Sequence, residues 1–146
     1  MENKHIEFFT KLLGKENVLT SQESKVLYAY DATAGIKESY PDVILTPSKK
    51  VEIVEIAKYC NLHKIPITPR GSGTNLSGGT IAYQGGVVLS MLNFNKIIEV
   101  DHKNLTALVQ PGVIIDHLNK AALEHGLIYP PDPGTVKTAT MGGSLS

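Results

Sequence analysis

Apolar residues recur at helical spacing from the start of the chain. Ile6, Phe9, Leu12 and Leu13 share a face and Gly14 follows as a C-cap, so the pattern predicts an amphipathic helix over about 3–13. Thr20-Ser-Gln-Glu23 has the spacing of a capping box and predicts a short second helix to about Leu27. Tyr28 to Thr33 is polar and aromatic, without a period, and reads as loop or turn. Val43-Ile-Leu45, bounded by Pro41-Asp42 and Pro47, predicts a short buried strand. Ser48 suits an N-cap, and Val51, Val54, Ala57 and the Tyr59-Cys60 pair continue at helical spacing to about His63. Ile65-Pro-Ile67-Thr68 reads as a strand, and Pro66, which cannot donate to a ladder, assigns it to a sheet edge or a strand start.

Further along, Gly86 to Met91 predicts a strand, and Ile97 to Val100 pairs with Leu105 to Gln110 across the hairpin loop Asp101 to Asn104. Pro111-Gly112 ends that hairpin. Ile114, Leu118, Ala121, Ala122 and Leu123 then predict a helix closed by Gly126. A loop stiffened by Pro130, Pro131 and Pro133 leads into a second glycine-rich segment at the C-terminus. Mixed helices and short, partly antiparallel strands give the fold class α+β, and no internal repeat is present.

The stretch with the most chemistry is Pro69-Arg-Gly-Ser-Gly-Thr-Asn-Leu-Ser-Gly-Gly-Thr80, which the order strand, helix, strand delivers at a strand's carboxyl end, where α/β units bind ligands. Glycine accepts positive φ, so Gly71, Gly73, Gly78 and Gly79 let the chain curl and gather successive backbone N–H groups into an anion-binding nest. Hydroxyls on Ser72, Thr74 and Ser77 and the Asn75 amide add donors, and Arg70 is expected to bring a fixed charge to the loop's mouth. A phosphate or pyrophosphate is the ligand this suits, against the plainer reading of a small-residue surface loop. A dinucleotide fingerprint fails at Leu76, where its third glycine belongs, and a P-loop fails at Gly79, where its lysine belongs.

Composition narrows the classes. Acidic and basic residues balance at 14 each, which leaves no field to attract nucleic acid. Cys60 is the lone cysteine, excluding an internal disulfide framework and a multi-cysteine metal site. The five histidines lack metal-ligand spacing, so no metal is expected, and Asp116 and His117, adjacent on a helix, do not face each other as a dyad would. No catalytic residue is identified. With no secretory leader and no long apolar run, a cytoplasmic location is expected.

Taken together, Tyr28-x-x-Asp31-Ala-Thr, Pro41-Asp-Val-Ile, Pro69 to Gly79, Leu89-Ser-Met-x-x-Phe-Asn-Lys-Ile97, Val109-Gln-Pro-Gly112, Pro130-Pro-Asp-Pro-Gly-Thr135 and Thr140-Met-Gly-Gly143 resemble the FAD-binding domain of PCMH-type, or vanillyl-alcohol-oxidase-type, flavoproteins. Within that group they are most similar to the D-2-hydroxy-acid dehydrogenases, a branch with D-lactate dehydrogenase and the GlcD subunit of glycolate oxidase. The resemblance implies two α/β lobes, the first over about 15–70 and the second beginning at 71 and incomplete at 146, with the substrate domain absent. It implies that Pro69, Arg70, Gly71, Ser72, Gly73, Thr74, Asn75, Gly78 and Gly79 cradle the FAD pyrophosphate, with Ser90 and Met91 near the cofactor. Asp132, Pro133, Gly134 and Thr135, with Thr138, Thr140, Met141, Gly142, Gly143 and Ser144, would follow the ribityl and flavin side. The two segments are expected to converge on one flavin, with main-chain amides supplying most of the grip. Gly71 and Ser72 stand where some relatives attach FAD through histidine, so noncovalent FAD is expected; Ser144 replaces an asparagine frequent in this branch.

The implied activity is oxidation of a small D-2-hydroxy acid, of glycolate or D-lactate type, to the 2-oxo acid. Other oxidase subunits are possible partners, through which the protein would be peripheral to the inner membrane. The chain reads as an amino-terminal fragment inactive by itself. The alternatives are a non-catalytic nucleotide-binding or interaction module of the same fold, and the reductase of peptidoglycan precursor synthesis, which Pro130 to Gly134 disfavours.

Overall fold

The structure, a computed structural model, describes residues 1–35 and 37–146. Helix α1 spans Asn3–Leu13, and Gly14, at φ +85°, ends it by donating its N–H to Thr10 O. A single 3₁₀ turn leads to strand β1 (Val18–Leu19) and helix α2 (Gln22–Leu27). The cap of α2 is one residue later than the sequence spacing implies: Ser21 Oγ, not Thr20, accepts the Ser24 N–H at 3.2 Å. Strand β2 (Val43–Leu45), helix α3 (Lys50–His63), strand β3 (Ile67–Arg70) and strand β4 (Val87–Ser90) follow.

These strands form one sheet in the order β1-β2-β4-β3, with β4 parallel to both neighbours and β1 antiparallel to β2. Strand β3 lies at the edge as expected, but it starts at Ile67, so Pro66 just precedes it and Pro69 is the proline within it. Side chains alternate across the sheet with period two. Val43, Leu45, Val87 and Leu89 face α1 and α3, where Phe9, Ile56 and Cys60 are fully buried; Ile44 and Val88 face the other side, against Ala82 and Tyr28. The expected lobe boundary near residue 70 therefore cuts through this sheet, because 87–90 supplies its central strand.

Two further expectations need correction. Helix α3 buries the row Glu52, Ile56 and Cys60, with Ile53 and Tyr59 half-buried, and leaves Val51, Val54 and Ala57 exposed. It carries two apolar rows, and the sheet takes the one of which the sequence pattern singled out only the Tyr59-Cys60 end. Its start is tied down by Glu52, whose carboxylate accepts the N–H groups of Ser48 and Lys49 at 2.8 and 2.9 Å, and not by the Ser48 side chain.

Strands β5 (Ile97–Asp101) and β6 (Thr106–Val109) make the expected hairpin, and Asp101 Oδ1 accepts from Lys103 N and Asn104 N in its turn. Helix α4 (Ile115–Leu123) and a short helix α5 (Met141–Leu145) complete a second core of Val113, Ile115, Leu118, Ala139 and Met141. Helix α5 was not expected in a glycine-rich segment; burial of Met141 and the Thr140 hydroxyl, which accepts from Gly143 N, stabilise it. Among the described residues no helix is long and apolar enough to cross a membrane.

Phe9 joins α1 to α3 and the sheet in the first core. Phe9→Ala is expected to lower unfolding free energy by about 3–5 kcal/mol in urea denaturation; a loss under about 1 kcal/mol would show that α1 is dispensable to this core.

Candidate functional site

The glycine loop leaves the end of β3 and runs to Thr80. Across from it lie the proline loop and the start of α5, and the two segments enclose a cleft of about 190 Å³. Gly71, Ser72, Gly73, Thr74, Asn75 and Thr80 line it from one side, and Pro133, Thr135, Ala139, Thr140, Gly143 and Ser144 from the other. Gly71 is where they touch. A Cβ there would run into the Thr140 side chain, with Cγ2 at 3.2 Å, so only glycine lets the segments meet this closely. Larger clefts of about 370 and 340 Å³ border α1, and neither is lined by these two segments.

The loop's amides fall into two groups. Asn75 Oδ1 accepts from Ser77 N (3.2 Å) and Gly79 N (3.1 Å), and Thr33 Oγ1 accepts from Gly78 N (2.7 Å). The N–H groups of Gly71, Ser72, Gly73, Thr74 and Asn75 donate to no acceptor among the described residues. All five line the cleft, whereas Ser77, Gly78 and Gly79 do not. On the opposite wall most are taken: the N–H groups of Thr138, Ala139, Met141, Gly142, Gly143 and Ser144 are engaged within the protein, while Thr135 N has no acceptor among the described residues. Open main-chain amides are therefore concentrated in the first of the two segments. The second segment offers the cleft mainly side chains, with Thr140 N alone of 138–144 lacking an acceptor.

Arg70 is not at the loop's mouth. Strand alternation turns it, with Thr68, to the face that carries Val88 and Tyr28, and it is only 7% exposed. Nη1 donates to Tyr30 O (2.8 Å) and Thr80 Oγ1 (3.3 Å), and the guanidinium lies 5.3 Å from the Tyr28 ring centroid. It sits directly under Gly73, where a Cβ would strike its Nη2 and Cζ; the φ of +73° requires glycine there as well. Burial pushes the Arg70 pKa down, opposed by Tyr28 and Asp31. No carboxylate pairs with it within 4 Å among the described residues. A buried cation without an ion-pair partner, beneath open backbone donors, favours an anion in the cleft.

Sequence reasoning missed what supports the loop. Asp31 Oδ2 accepts from Asn75 Nδ2 (2.9 Å) and Thr80 Oγ1 (3.1 Å), while Oδ1 accepts from Thr33 N (2.9 Å). Burial raises its pKa, but the hydrogen bonds from Thr33, Asn75 and Thr80 outweigh that and hold it below the ordinary carboxylate value. The only signal was the Tyr28-x-x-Asp31-Ala-Thr33 cluster, which has no period to interpret.

The remaining expected residues lie outside the cleft lining. Ser90 is buried at the end of β4, opposite Arg70 in the ladder, and Met91 is half-buried against the first core. Pro69, Gly79, Asp132, Gly134 and Thr138 are exposed. Gly78 is buried, Met141 belongs to the second core, and Gly142 packs on Pro111. Cys60, fully buried, has its thiol pushed up to about 11. His102 and His125 stack at 5.4 Å, and no cluster of three or more metal-ligating side chains occurs among the described residues.

Gly71→Ala should cost about 1–3 kcal/mol through overpacking against Thr140. In a double-mutant cycle with Thr140→Ala, the added methyl should be tolerated; an undiminished loss in the Thr140→Ala background would contradict the contact.

Comparison with known proteins bears on the family and the fold. The chain is 44% identical over 140 residues to the glycolate oxidase subunit GlcD of Bacillus subtilis, covering 96% of this chain and 30% of that protein. It is 37% identical over 141 residues to the D-lactate dehydrogenase of Anaerostipes hadrus, covering 97% and 29%. It thus spans about 30% of the length of these curated relatives. Among solved structures, p-cresol methylhydroxylase superposes with a TM-score of 0.75 at 32% identity, covering 86% of this chain and 25% of that one. Alkyldihydroxyacetonephosphate synthase superposes at 0.86, covering 99% and 31%; at 20% identity this shows the fold alone, and both bear out the PCMH-type fold. The family described as FAD binding domain matches residues 41–146, from the strand before α3 through both walls of the cleft, and the chain belongs to that family, whose cofactor is FAD.

Proposed function

We propose that this chain is the FAD-binding portion of a flavin-dependent oxidoreductase that converts a small D-2-hydroxy acid, of glycolate or D-lactate type, to the 2-oxo acid. The observation that carries the reading is the row of five N–H groups, Gly71 to Asn75, beside the cleft and without an acceptor among the described residues. Backbone donors of this kind suit a diphosphate and need no metal. At about 190 Å³ the cleft is smaller than the roughly 300–1,000 Å³ of typical ligand pockets. It fits the diphosphate and its neighbours, with the rest of a dinucleotide lying over open surface.

In this reading the loop N–H groups hold the diphosphate and the Arg70 charge acts on it from below, screened little by solvent. The Thr135, Thr140 and Ser144 hydroxyls serve the ribityl side, with Ser90, Met91 and Asp132 as outer contacts. FAD, when bound, supplies the redox chemistry, taking a hydride from the substrate's C2. Among the described residues no histidine or cysteine lines the cleft, which supports noncovalent attachment. The hydroxy-acid substrate and a partner subunit are supported by the names of the GlcD and D-lactate dehydrogenase relatives. A cytoplasmic location, peripheral to a membrane only through such partners, accords with the balanced charge.

Titrating the purified protein with FAD is expected to quench flavin fluorescence with one-to-one stoichiometry and to give a yellow protein that releases all its flavin on denaturation. Anaerobic bleaching of the bound flavin by D-lactate or glycolate, and not by L-lactate, would support the substrate class. Protein that stays colourless and does not quench FAD would rule the reading out.

A further inference from the structure

The glycine loop is divided into an occupied half and an open half, and one side chain outside the loop imposes that division. Asn75 is the pivot. Its Nδ2 donates to Asp31 Oδ2 and Thr80 Oγ1, which orients its Oδ1 toward the N–H groups of Ser77 and Gly79. The ionised Asp31 carboxylate accepts and never donates, so it faces the Nδ2 end of the amide and not its Oδ1 end. The same oxygen accepts from the Thr80 hydroxyl, which in turn accepts from Arg70 Nη1, so the loop's far end is tied to the same anchor. Thr33 adds a third tie through Gly78. Asp31 does not line the cleft.

We propose that Asp31 is a positioning residue for diphosphate binding: by fixing the Asn75 amide it occupies the Ser77 and Gly79 amides and leaves those of Gly71 to Asn75 pre-arranged for the anion. This rests on the flavin-binding reading above. A pre-formed nest spares the ligand the cost of ordering a glycine-rich loop, so loss of the anchor is expressed in affinity.

The sign of the effect separates positioning from simple electrostatics. A carboxylate acting through its charge alone would repel a diphosphate, and neutralising it would tighten binding. A positioning role gives the opposite result. Asp31→Asn and Asp31→Ala are therefore expected to weaken both ADP and FAD binding by about tenfold, measured by calorimetry and fluorescence quenching. A core variant such as Ile56→Val, assayed at matched fraction folded, should keep wild-type affinity, which distinguishes the effect from lost stability. Without any ligand, amide exchange at Ser77 and Gly79 should accelerate in Asp31→Ala by about tenfold or more relative to the α3 amides. Wild-type protein that binds FAD, with Asp31→Asn binding ADP unchanged or more tightly, would overturn the role alone. Unaltered exchange at Ser77 and Gly79 would do the same. Wild-type protein that takes up neither FAD nor ADP would overturn the flavin-binding reading and this role with it.

Discussion

A backbone N–H drawn away from bulk water needs an acceptor, and leaving one unmatched costs about 1–3 kcal/mol. The loop after β3 carries five such groups in succession, Gly71 to Asn75, half-buried and without a protein acceptor among the described residues. The chain provides matched acceptors almost everywhere else nearby: Asn75 and Thr33 serve the far half of the same loop, and the opposing segment closes on itself around Thr135 and Thr140. Among the residues lining this cleft the unmatched donors are thus concentrated on one wall, with Thr135 N and Thr140 N the exceptions on the other. An anion there matches them and also balances the buried Arg70 charge, two electrostatic demands at a single place.

The sheet puts this wall where it is. Strands β3 and β4 run parallel, so their carboxyl ends lie side by side and the chain leaves Arg70 next to Ser90. Because β4 is central, the face bearing Ile44 and Val88 is covered by Tyr28 and Ala82, and the segment from Tyr28 to Thr33 is brought beneath the glycine loop. The second core then presents Thr140 against Gly71, and the close approach of those two residues joins the halves of the cleft. Local rigidity on this wall comes from side-chain hydrogen bonds to the loop, since the loop itself has no ladder.

Much of this was legible in the sequence where the controlling physics is local. Helix α1 and its Gly14 stop, the β5–β6 hairpin, helix α4, and strand β2 between prolines all follow from spacing and turn residues. The reading of the glycine loop as an anion-binding nest followed from its composition. What could not be seen locally was decided by tertiary partners. Helix α3 has two apolar rows and only the sheet chooses between them. Arg70 reads as a surface charge until strand alternation turns it inward. Asp31 and Thr33 act on residues 44 and 45 positions away, so no periodicity could reveal them. Helix α5 runs against the low propensity of Gly142-Gly143 and depends on the second core.

The most direct measurement is an amide ¹H–¹⁵N spectrum of the protein recorded through a titration with FAD. The account predicts that the Gly71, Ser72, Gly73 and Thr74 amide protons move downfield together as they gain phosphate oxygens as acceptors, while those of Ser77, Gly78 and Gly79, already bonded, stay nearly still. FAD binding that shifts the far half of the loop and leaves 71–74 unmoved, or that perturbs only residues around α1, would contradict it.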